Sequence, residues 1–158
     1  MKILLITLTS SLGEIAYNIP AVQDILRARP DARIDWVVEP PHVPLVRRVA
    51  GVADAIACPQ QRWKQQWWAA TTRREVAVLR ERLGREPYDA ILDLQGAARS
   101  VFVSRMARGH RFAPAHATEG REHEPLAGWL VDHALRVPPK LHEVDRARAL
   151  VAAMLRVP

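Results

Sequence analysis

A carboxylate stands where an apolar run gives way to a helical pattern, in the stretch TLTSSLGEIAYNIPA, residues 7–21. Glu14 lies three residues after Ser11, which is the spacing of a capping box, and holding the start of a helix is the simpler interpretation. A helix N-terminus also stabilises negative charge, and Gly13 leaves room for a ligand to approach the backbone. Glu14 is therefore also a candidate general base, able to take a proton from a substrate hydroxyl.

Basic and aromatic residues lie together in the stretch QQRWKQQWW, where Arg62 and Lys64 are placed among three tryptophans. Such a mixture suits an interface at which sugar, phosphate and lipid meet. The alternative is that the tryptophans begin the next helix and fill the core, and we expect at least one of them to do so. Both interpretations remain open at this stage.

A third polar stretch, DLQGAARS, follows an apolar segment that reads as a strand. Gln95 and Gly96 are expected at the carboxyl end of this strand, and Arg99 in the first turn of the following helix. These positions suit ligand binding, because ligands of open α/β sheets bind at the carboxyl ends of the strands. The plainer alternative is that Gly96 serves a turn and that Arg99 is solvated.

Several familiar catalytic patterns are missing from the sequence. No histidine belongs to an H-E-x-x-H motif or a Cys/His cluster, so we predict no metal. There is also no G-x-G-x-x-G fingerprint, no phosphate-binding Walker loop and no G-x-S-x-G elbow. The single cysteine, Cys58, excludes an intramolecular disulfide and suggests a reducing compartment.

Apolar periodicity predicts the elements that must position these residues. Strands and helices alternate, which predicts a parallel, doubly wound α/β sheet, and the continuous apolar run Ile3–Ile6 predicts that the first strand is central. Its site would combine the loops 9–14, 59–68 and 93–99. The predicted strands are 2–8, 34–38, 53–58 and 88–94. The predicted helices are 13–28, 43–49, 72–83 (opened by a Thr72–Glu75 capping box), 96–108, 124–134 and 142–155, with a loop at 109–123.

The bulk composition fits one globular domain of 158 residues, 49% hydrophobic and 25% charged. The net charge is +6, and 20 of the 23 basic residues are arginine, which fits either anion recognition or a GC-rich genome. Nucleic acid is an unfavoured partner, because no recognised nucleic-acid motif is present. No apolar run is long enough for a signal peptide or a membrane span, so we expect a cytoplasmic protein.

Six stretches, taken in order, resemble the N-terminal half of the lipopolysaccharide heptosyltransferase I family, which are inverting glycosyltransferases of the GT-B type with two Rossmann-like domains. The resemblance covers essentially all 158 residues. Each stretch is weak alone, whereas the ordered set is specific. The stretches are KILLITLTSSLGEIAYNIPAVQDI, IDWVVE, QRWKQQWW, YDAILDLQG, EPLAGWL and LHEVDRAR.

The resemblance implies a domain that binds the acceptor of a heptose transfer in lipopolysaccharide inner-core synthesis. The family moves heptose from ADP-heptose to the Kdo sugar of Kdo-lipid A, so it implies a protein peripheral on the anionic inner face of the inner membrane. No cofactor is implied. The donor substrate is held by a C-terminal domain that these residues do not include. The chain is therefore expected to be inactive alone, and a separate donor-binding half is a possible partner.

The resemblance also implies roles for single residues, with Glu14 as the catalytic base. The family usually has Asp there, and the other departures from its pattern cluster at the expected site: Thr7, Tyr17, Gln61, Gln65, Arg99 and His123. The departures at Thr7, Glu14, Tyr17 and His123 favour an alternative, a degenerate non-catalytic relative that binds an anionic glycan or a partner protein. The implied acceptor-binding residues are Ser10, Ser11, Gly13, Arg62, Trp63, Lys64, Gln95, Gly96, Arg99, Arg121 and His123.

Overall fold

A computed structural model describes residues 1–115, 131–136, 138 and 141–156 of the chain. Its strands form a six-stranded sheet in the order β3-β2-β1-β4-β5-β6, and every neighbouring pair is parallel. The strands are β1 Lys2–Thr7, β2 Arg33–Val38, β3 Val52–Ala57, β4 Ala90–Asp93, β5 His110–Pro114 and β6 His133–Leu135. The described helices are α1 Leu12–Ala28, α2 Val43–Val46, α3 Gln60–Gln65, α4 Ala70–Gly84, α5 Ala98–Ser104 and α6 Glu143–Arg156, with a 3-10 turn at Pro40–His42.

Strand β1 lies inside the sheet, paired with β2 on one side and β4 on the other. Its apolar side chains alternate between two cores, because successive side chains of a strand point to opposite faces. Ile3 and Leu5 belong to one core, and Leu4 and Ile6 belong to the other. This burial on both faces confirms the predicted doubly wound α/β fold with a central first strand.

The two cores are closed by different helices. On one face, α1 and α6 pack together, and residues such as Ile15 and Leu150 join the side chains of the sheet. On the other face, Trp63 of α3, Leu79 of α4 and Val103 of α5 complete the core. The sheet therefore lies between two helical layers.

The predicted capping box at Thr72 and Glu75 is wrong. Helix α4 begins two residues earlier, at Ala70, and its N-cap residue Ala69 has no side chain that could cap it. Thr72 is buried inside the first turn. The Glu75 carboxylate binds side chains of α3 instead, so a tertiary contact replaces the predicted local one.

The predicted loop at 109–123 is wrong over residues 110–114, which form strand β5. Phe112 and Ala113 are buried there, and β5 pairs with β4. Histidine, arginine and proline around them hide any apolar alternation, so pairing with the sheet decides the conformation. The predicted helix 124–134 is likewise wrong at residues 131–134, which are not helical and of which 133 and 134 belong to β6, and its residues 124–130 lie outside the described residues. Within the described residues, no helix is both long and apolar enough to cross a membrane.

Candidate active site at the carboxyl ends of the strands

Glu14 lies in the first turn of α1, and its side chain is only partly exposed. Ser11 is the N-cap residue, and its Oγ accepts a long hydrogen bond of 3.4 Å from the Glu14 backbone N–H. The reciprocal half of a capping box is not formed, because the Ser11 N–H donates to Thr9 Oγ1 at 3.0 Å. The Glu14 carboxylate is thus not used to hold the helix start.

Gln95 holds the Glu14 carboxylate instead. Its Nε2 donates to Glu14 Oε2 at 3.3 Å, while its Oε1 accepts from the Leu8 N–H at 2.8 Å. The Gln95 side chain is 8% exposed and so has little freedom to turn away. This one amide connects the loop after β1 to the loop after β4, and two of the three predicted site loops therefore meet.

The turn that carries Gln95 is built around the carboxylate of Asp93. Asp93 Oδ1 accepts from the backbone N–H groups of Gln95 and Gly96, at 3.0 and 2.9 Å, and Ser100 Oγ donates to Oδ2 at 2.7 Å. Gly96 has a positive φ of 65°, and a Cβ there would lie 3.2 Å from Pro114. The predicted turn role of Gly96 is therefore met. Asp93 was missed as a site residue, although an Asp at a strand end before a glycine is a known turn signal.

Helix α6 contributes two residues that the sequence patterns did not single out. Glu143 and Arg146 join Glu14, Asn18 and Gln95 around a cavity of about 10 Å³. That volume holds about one water-sized probe, so the cavity is a polar niche rather than a ligand pocket. The buried Nε of Arg146 makes no hydrogen bond within the described residues. This guanidinium can donate a hydrogen bond to an anionic group next to the carboxylate.

The basic stretch forms helix α3, which is fixed to α4 through Glu75. The Glu75 carboxylate accepts from Arg62 at 2.7 Å and from the indole Nε1 of Trp63 at 2.7 Å. These hydrogen bonds, the one from Trp63 foremost, lower the pKa of Glu75. Trp63 is 7% exposed and fills the core, as the alternative interpretation of this stretch predicted. Lys64 is exposed.

Glu39, at the carboxyl end of β2, anchors the start of α3. Its Oε1 accepts from the Gln61 N–H at 3.0 Å, and its side chain is 6% exposed. Burial raises the pKa of Glu39, while the hydrogen bond from Gln61 and the charges of Arg99 and His42 oppose that shift. Glu39 was also missed, although a carboxylate directly after a buried strand is a signal of the same kind as Glu14.

The remaining predicted positions divide into exposed and buried ones. Ser10, Ser11, Gly13 and Arg99 are exposed around the loops. Thr7 is fully buried, and its Oγ1 accepts from Asn18 and Trp36, so it supports the fold. Arg121 and His123 lie outside the described residues.

Two observations bear on other chemistry. Burial raises the pKa of the Cys58 thiol to about 12, so this side chain is a packed thiol rather than a nucleophile. In the part of the chain that the structure describes, no three His, Cys, Asp or Glu residues are grouped as metal ligands would be.

Comparison with known proteins gives one consistent family. The family model described as glycosyltransferase family 9 (heptosyltransferase) matches residues 76–158. Lipopolysaccharide heptosyltransferase 1 of Escherichia coli K12 is 33% identical over 156 residues, which are 98% of this chain and 48% of the relative. The Pseudomonas aeruginosa heptosyltransferase 1 is 32% identical over 100% of this chain and 44% of the relative. The chain thus spans about half the length of the curated relatives it matches.

Solved structures agree with the sequence comparison. The E. coli heptosyltransferase WaaC, solved with ADP, superposes with a TM-score of 0.88 at 31% identity, over 99% of this chain and 48% of that chain. E. coli heptosyltransferase II shares the fold, with a TM-score of 0.68 at 22% identity. The Rossmann-like sheet is thus the one found in about half of each GT-B heptosyltransferase. Because the family model covers more than half of the chain, the chain belongs to glycosyltransferase family 9, the heptosyltransferases.

Proposed function

We propose that this chain is the acceptor-binding half of an inverting glycosyltransferase that moves heptose from ADP-heptose to Kdo of Kdo-lipid A, with Glu14 as the general base. The observation that carries this proposal is the contact between Gln95 Nε2 and Glu14 Oε2, at 3.3 Å. A carboxylate that only capped the helix would bind the backbone of its own first turn. Glu14 is held across the sheet by a side chain of another strand's loop.

The proposed reaction is a single displacement. The acceptor hydroxyl oxygen forms a bond to the anomeric carbon of heptose as the bond from that carbon to the ADP phosphate breaks. The hydroxyl proton passes to Glu14, and ADP leaves with the bonding electron pair. Gln95 occupies Oε2, and no described residue donates to Oε1, so Oε1 is the atom that can accept the proton.

Acceptor binding in this proposal uses the exposed cations around the loops. Arg99 and Lys64 can pair with phosphate or carboxylate groups of the acceptor, and Ser10, Ser11 and Gly13 line its approach to Glu14. Arg62 and Trp63 act indirectly, because both already bind Glu75. The exposed Trp67 and Trp68 would hold this edge at the inner face of the inner membrane.

The donor site is proposed to lie outside these 158 residues. Two E. coli WaaC structures are named for ADP and for ADP-2-deoxy-2-fluoro heptose, and this chain covers 48% of each. We therefore expect the chain alone to bind acceptor without transferring heptose, and to gain activity when a donor-binding half is supplied.

A second candidate is a non-catalytic relative that binds an anionic glycan or a partner protein. The residue type at position 7 favours it. The family resemblance implies a lysine or arginine near the end of β1, whereas this chain has Thr7, which is buried and uncharged.

A transfer assay with ADP-heptose and Kdo-lipid A separates these candidates. It is run on the chain alone and on the chain mixed with the C-terminal half of a heptosyltransferase 1. Transfer that appears only in the mixture, and that is lost with Glu14→Gln, supports the enzyme. Acceptor binding without transfer in either sample supports the non-catalytic relative. Transfer that survives Glu14→Gln contradicts the assignment of the base.

A further inference from the structure

A separate groove lies between α3 and α4, next to the end of β3. Its volume is about 520 Å³, which is in the range of small-molecule sites. None of its lining residues belongs to the polar niche beside Glu14. The apolar part of the lining consists of Pro40, Ala57, Pro59, Trp63, Val78 and Leu79.

Helix α4 presents an unusual apolar side chain to this groove. Val78 is 66% exposed, although its neighbour Leu79 is buried in the core. The lining positions 74, 78 and 82 are four residues apart and so form one stripe on the helix. Exposed valine on such a stripe loses solvent-exposed apolar area when a hydrocarbon chain covers it.

Three arginines edge the same groove, namely Arg62, Arg74 and Arg82. Two of them are neutralised within the fold: Arg62 binds Glu75, and Arg82 binds Asp54. Arg74 is exposed and makes no hydrogen bond or ion pair to any described residue. One cation next to an apolar channel is therefore available for an anion.

We propose that this groove binds one acyl chain of an anionic membrane phospholipid, with the lipid phosphate paired to Arg74. A guanidinium matches the geometry of phosphate, and Val78 and the floor of the groove match a hydrocarbon chain. The connection between α3 and α4 carries Trp67 and Trp68, which are 71% and 62% exposed. Exposed tryptophans of this kind favour the interface of a membrane, so a membrane lipid is the occupant that the surroundings favour over a peptide. The proposal does not depend on heptose transfer.

The test uses the 158-residue chain and lauroyl-lysophosphatidylglycerol, kept below its critical micelle concentration, in isothermal titration calorimetry. Lauroyl-lysophosphatidylcholine and glycerol 3-phosphate serve as ligands that lack, respectively, the net charge and the acyl chain. We expect saturable binding of the anionic lysolipid, and weakening by at least about tenfold in both Arg74→Glu and Val78→Asp. Arg80→Glu is the matched control, because Arg80 is an exposed arginine of the same helix that does not line the groove.

Several results would overturn the proposal. They are equal weakening by Arg74→Glu and Arg80→Glu, equal binding of the zwitterionic lysolipid, equal binding of glycerol 3-phosphate, and failure of the anionic lysolipid to bind. Thermal melts of each variant establish that it is folded. Both substituted side chains are exposed, so we expect the melting temperatures to be unchanged within a few degrees.

Discussion

Glu14 shows at the residue scale how one sequence pattern can fit two roles that only contacts distinguish. Ser11 and Glu14 have the spacing of a capping box, and the backbone half of that box is formed. The side-chain half is not formed, because the Ser11 N–H donates to Thr9 Oγ1 and the Glu14 carboxylate accepts from Gln95 Nε2. A substitution that keeps the shape of Glu14 and removes its basicity therefore tests chemistry without disturbing the helix.

We expect Glu14→Gln to lower kcat of the enzyme completed with a donor-binding half by about 10²–10⁴-fold, because an amide cannot take the acceptor's proton. The melting temperature should be unchanged, since Ser11 still caps the helix. Initial rates and thermal melts measure the two effects. Full activity in the Gln variant would leave Glu14 without a catalytic role.

Glu14→Asp is the sharper probe of the geometry, because it restores the residue implied by the family resemblance. It shortens the side chain by one methylene, a displacement of about 1 Å that can cost on the order of a hundredfold in rate where a site is fitted to the longer residue. Equal or higher kcat in the Asp variant would show that the pocket still suits the shorter carboxylate. A dead Asp variant next to an active parent would show a site rebuilt around glutamate.

Gln95→Met tests whether the amide positions the base. The variant keeps the size of the side chain but removes the bonds to Glu14 and to the buried Leu8 N–H. We expect the free energy of unfolding to fall by about 1–3 kcal/mol, because the Leu8 donor is left unpaired. We also expect kcat of the completed enzyme to fall with KM little changed. Lower stability with unchanged kcat would give Gln95 a purely structural role.

The residue types of the site could be predicted, but several of their partners could not. Gln95 was expected at a strand end, yet its bond to Glu14 joins residues 81 positions apart and depends on β1 and β4 being neighbours. Asp93 and Glu39 were missed because each works through backbone N–H groups of a following turn or helix. The Asp93 contacts are local and follow a known turn pattern, whereas the Glu39 contact joins residues 22 positions apart and follows no spacing rule that a single sequence reveals.

At the scale of elements, α3 is positioned by two carboxylates from different parts of the fold. Glu39 accepts from its first turn, and Glu75 of α4 accepts from Arg62 and Trp63. The predicted capping box at Thr72 and Glu75 failed for this reason. Glu75 has the local spacing of a capping residue, but its carboxylate accepts hydrogen bonds from the indole of Trp63 and the guanidinium of Arg62, because α3 packs next to α4.

The Glu75 contact predicts a dependence of stability on pH. Its folded-state pKa is lowered from the ordinary 4.5, so the ionised carboxylate contributes stability above that value, and this contribution is lost as the pH falls through the folded-state pKa. We therefore expect Glu75→Gln to lower the melting temperature at pH 7, and we expect this deficit to shrink steadily as the pH falls below 4.5 toward 3. Glu81→Gln is the control on the same helix, because Glu81 has only an exposed partner, Arg85. An equal deficit of the Glu75 variant at both pH values would contradict this linkage.

The stretch after α3 should bind anionic membranes. The rings of Trp67 and Trp68 pack edge-to-face with their centroids 5.8 Å apart, and both side chains are exposed. Trp63 is buried and therefore cannot contact a membrane. Replacing Trp67, Trp68, Arg62 and Lys64 together by Ala should weaken co-sedimentation with phosphatidylglycerol vesicles. The loss of the exposed Lys64 alone should account for about fivefold, since an unpaired basic residue contributes about 1 kcal/mol, whereas Arg62 is already paired with Glu75. Phe102→Ala is the control, because Phe102 is an exposed aromatic of α5. Unchanged co-sedimentation of the quadruple variant would place the membrane contact elsewhere.

At the scale of the whole molecule, the alternation of strands and helices was enough to predict the sheet, its parallel sense and its central strand. The apolar character of β1 and β2 is local, so a single sequence reveals it. Strand β5 was not predicted, because its own residues show little strand pattern and its conformation depends on pairing with β4. The packing of α6 against α1 likewise joins segments that are more than 100 residues apart, and no local sequence pattern predicts it.

Helix α6 links this closure to the candidate site, which gives the final prediction. Leu150 and Val151 of α6 are buried against α1 and the sheet, and Arg146 of the same helix lines the niche beside Glu14. Leu150→Ala should lower the free energy of unfolding by about 2–5 kcal/mol, because it leaves a cavity in the core between α1, α6 and the sheet. For a chain of this length each kcal/mol corresponds to a fall of about 2–4 °C in the melting temperature. Arg146→Met should instead leave the melting temperature nearly unchanged and weaken acceptor binding, because it keeps the apolar stem and removes only the charge. Arg156→Ala, at the exposed end of the helix, is the control for both. If Arg146→Met destabilised the fold as much as Leu150→Ala and left acceptor binding intact, α6 would serve the core alone.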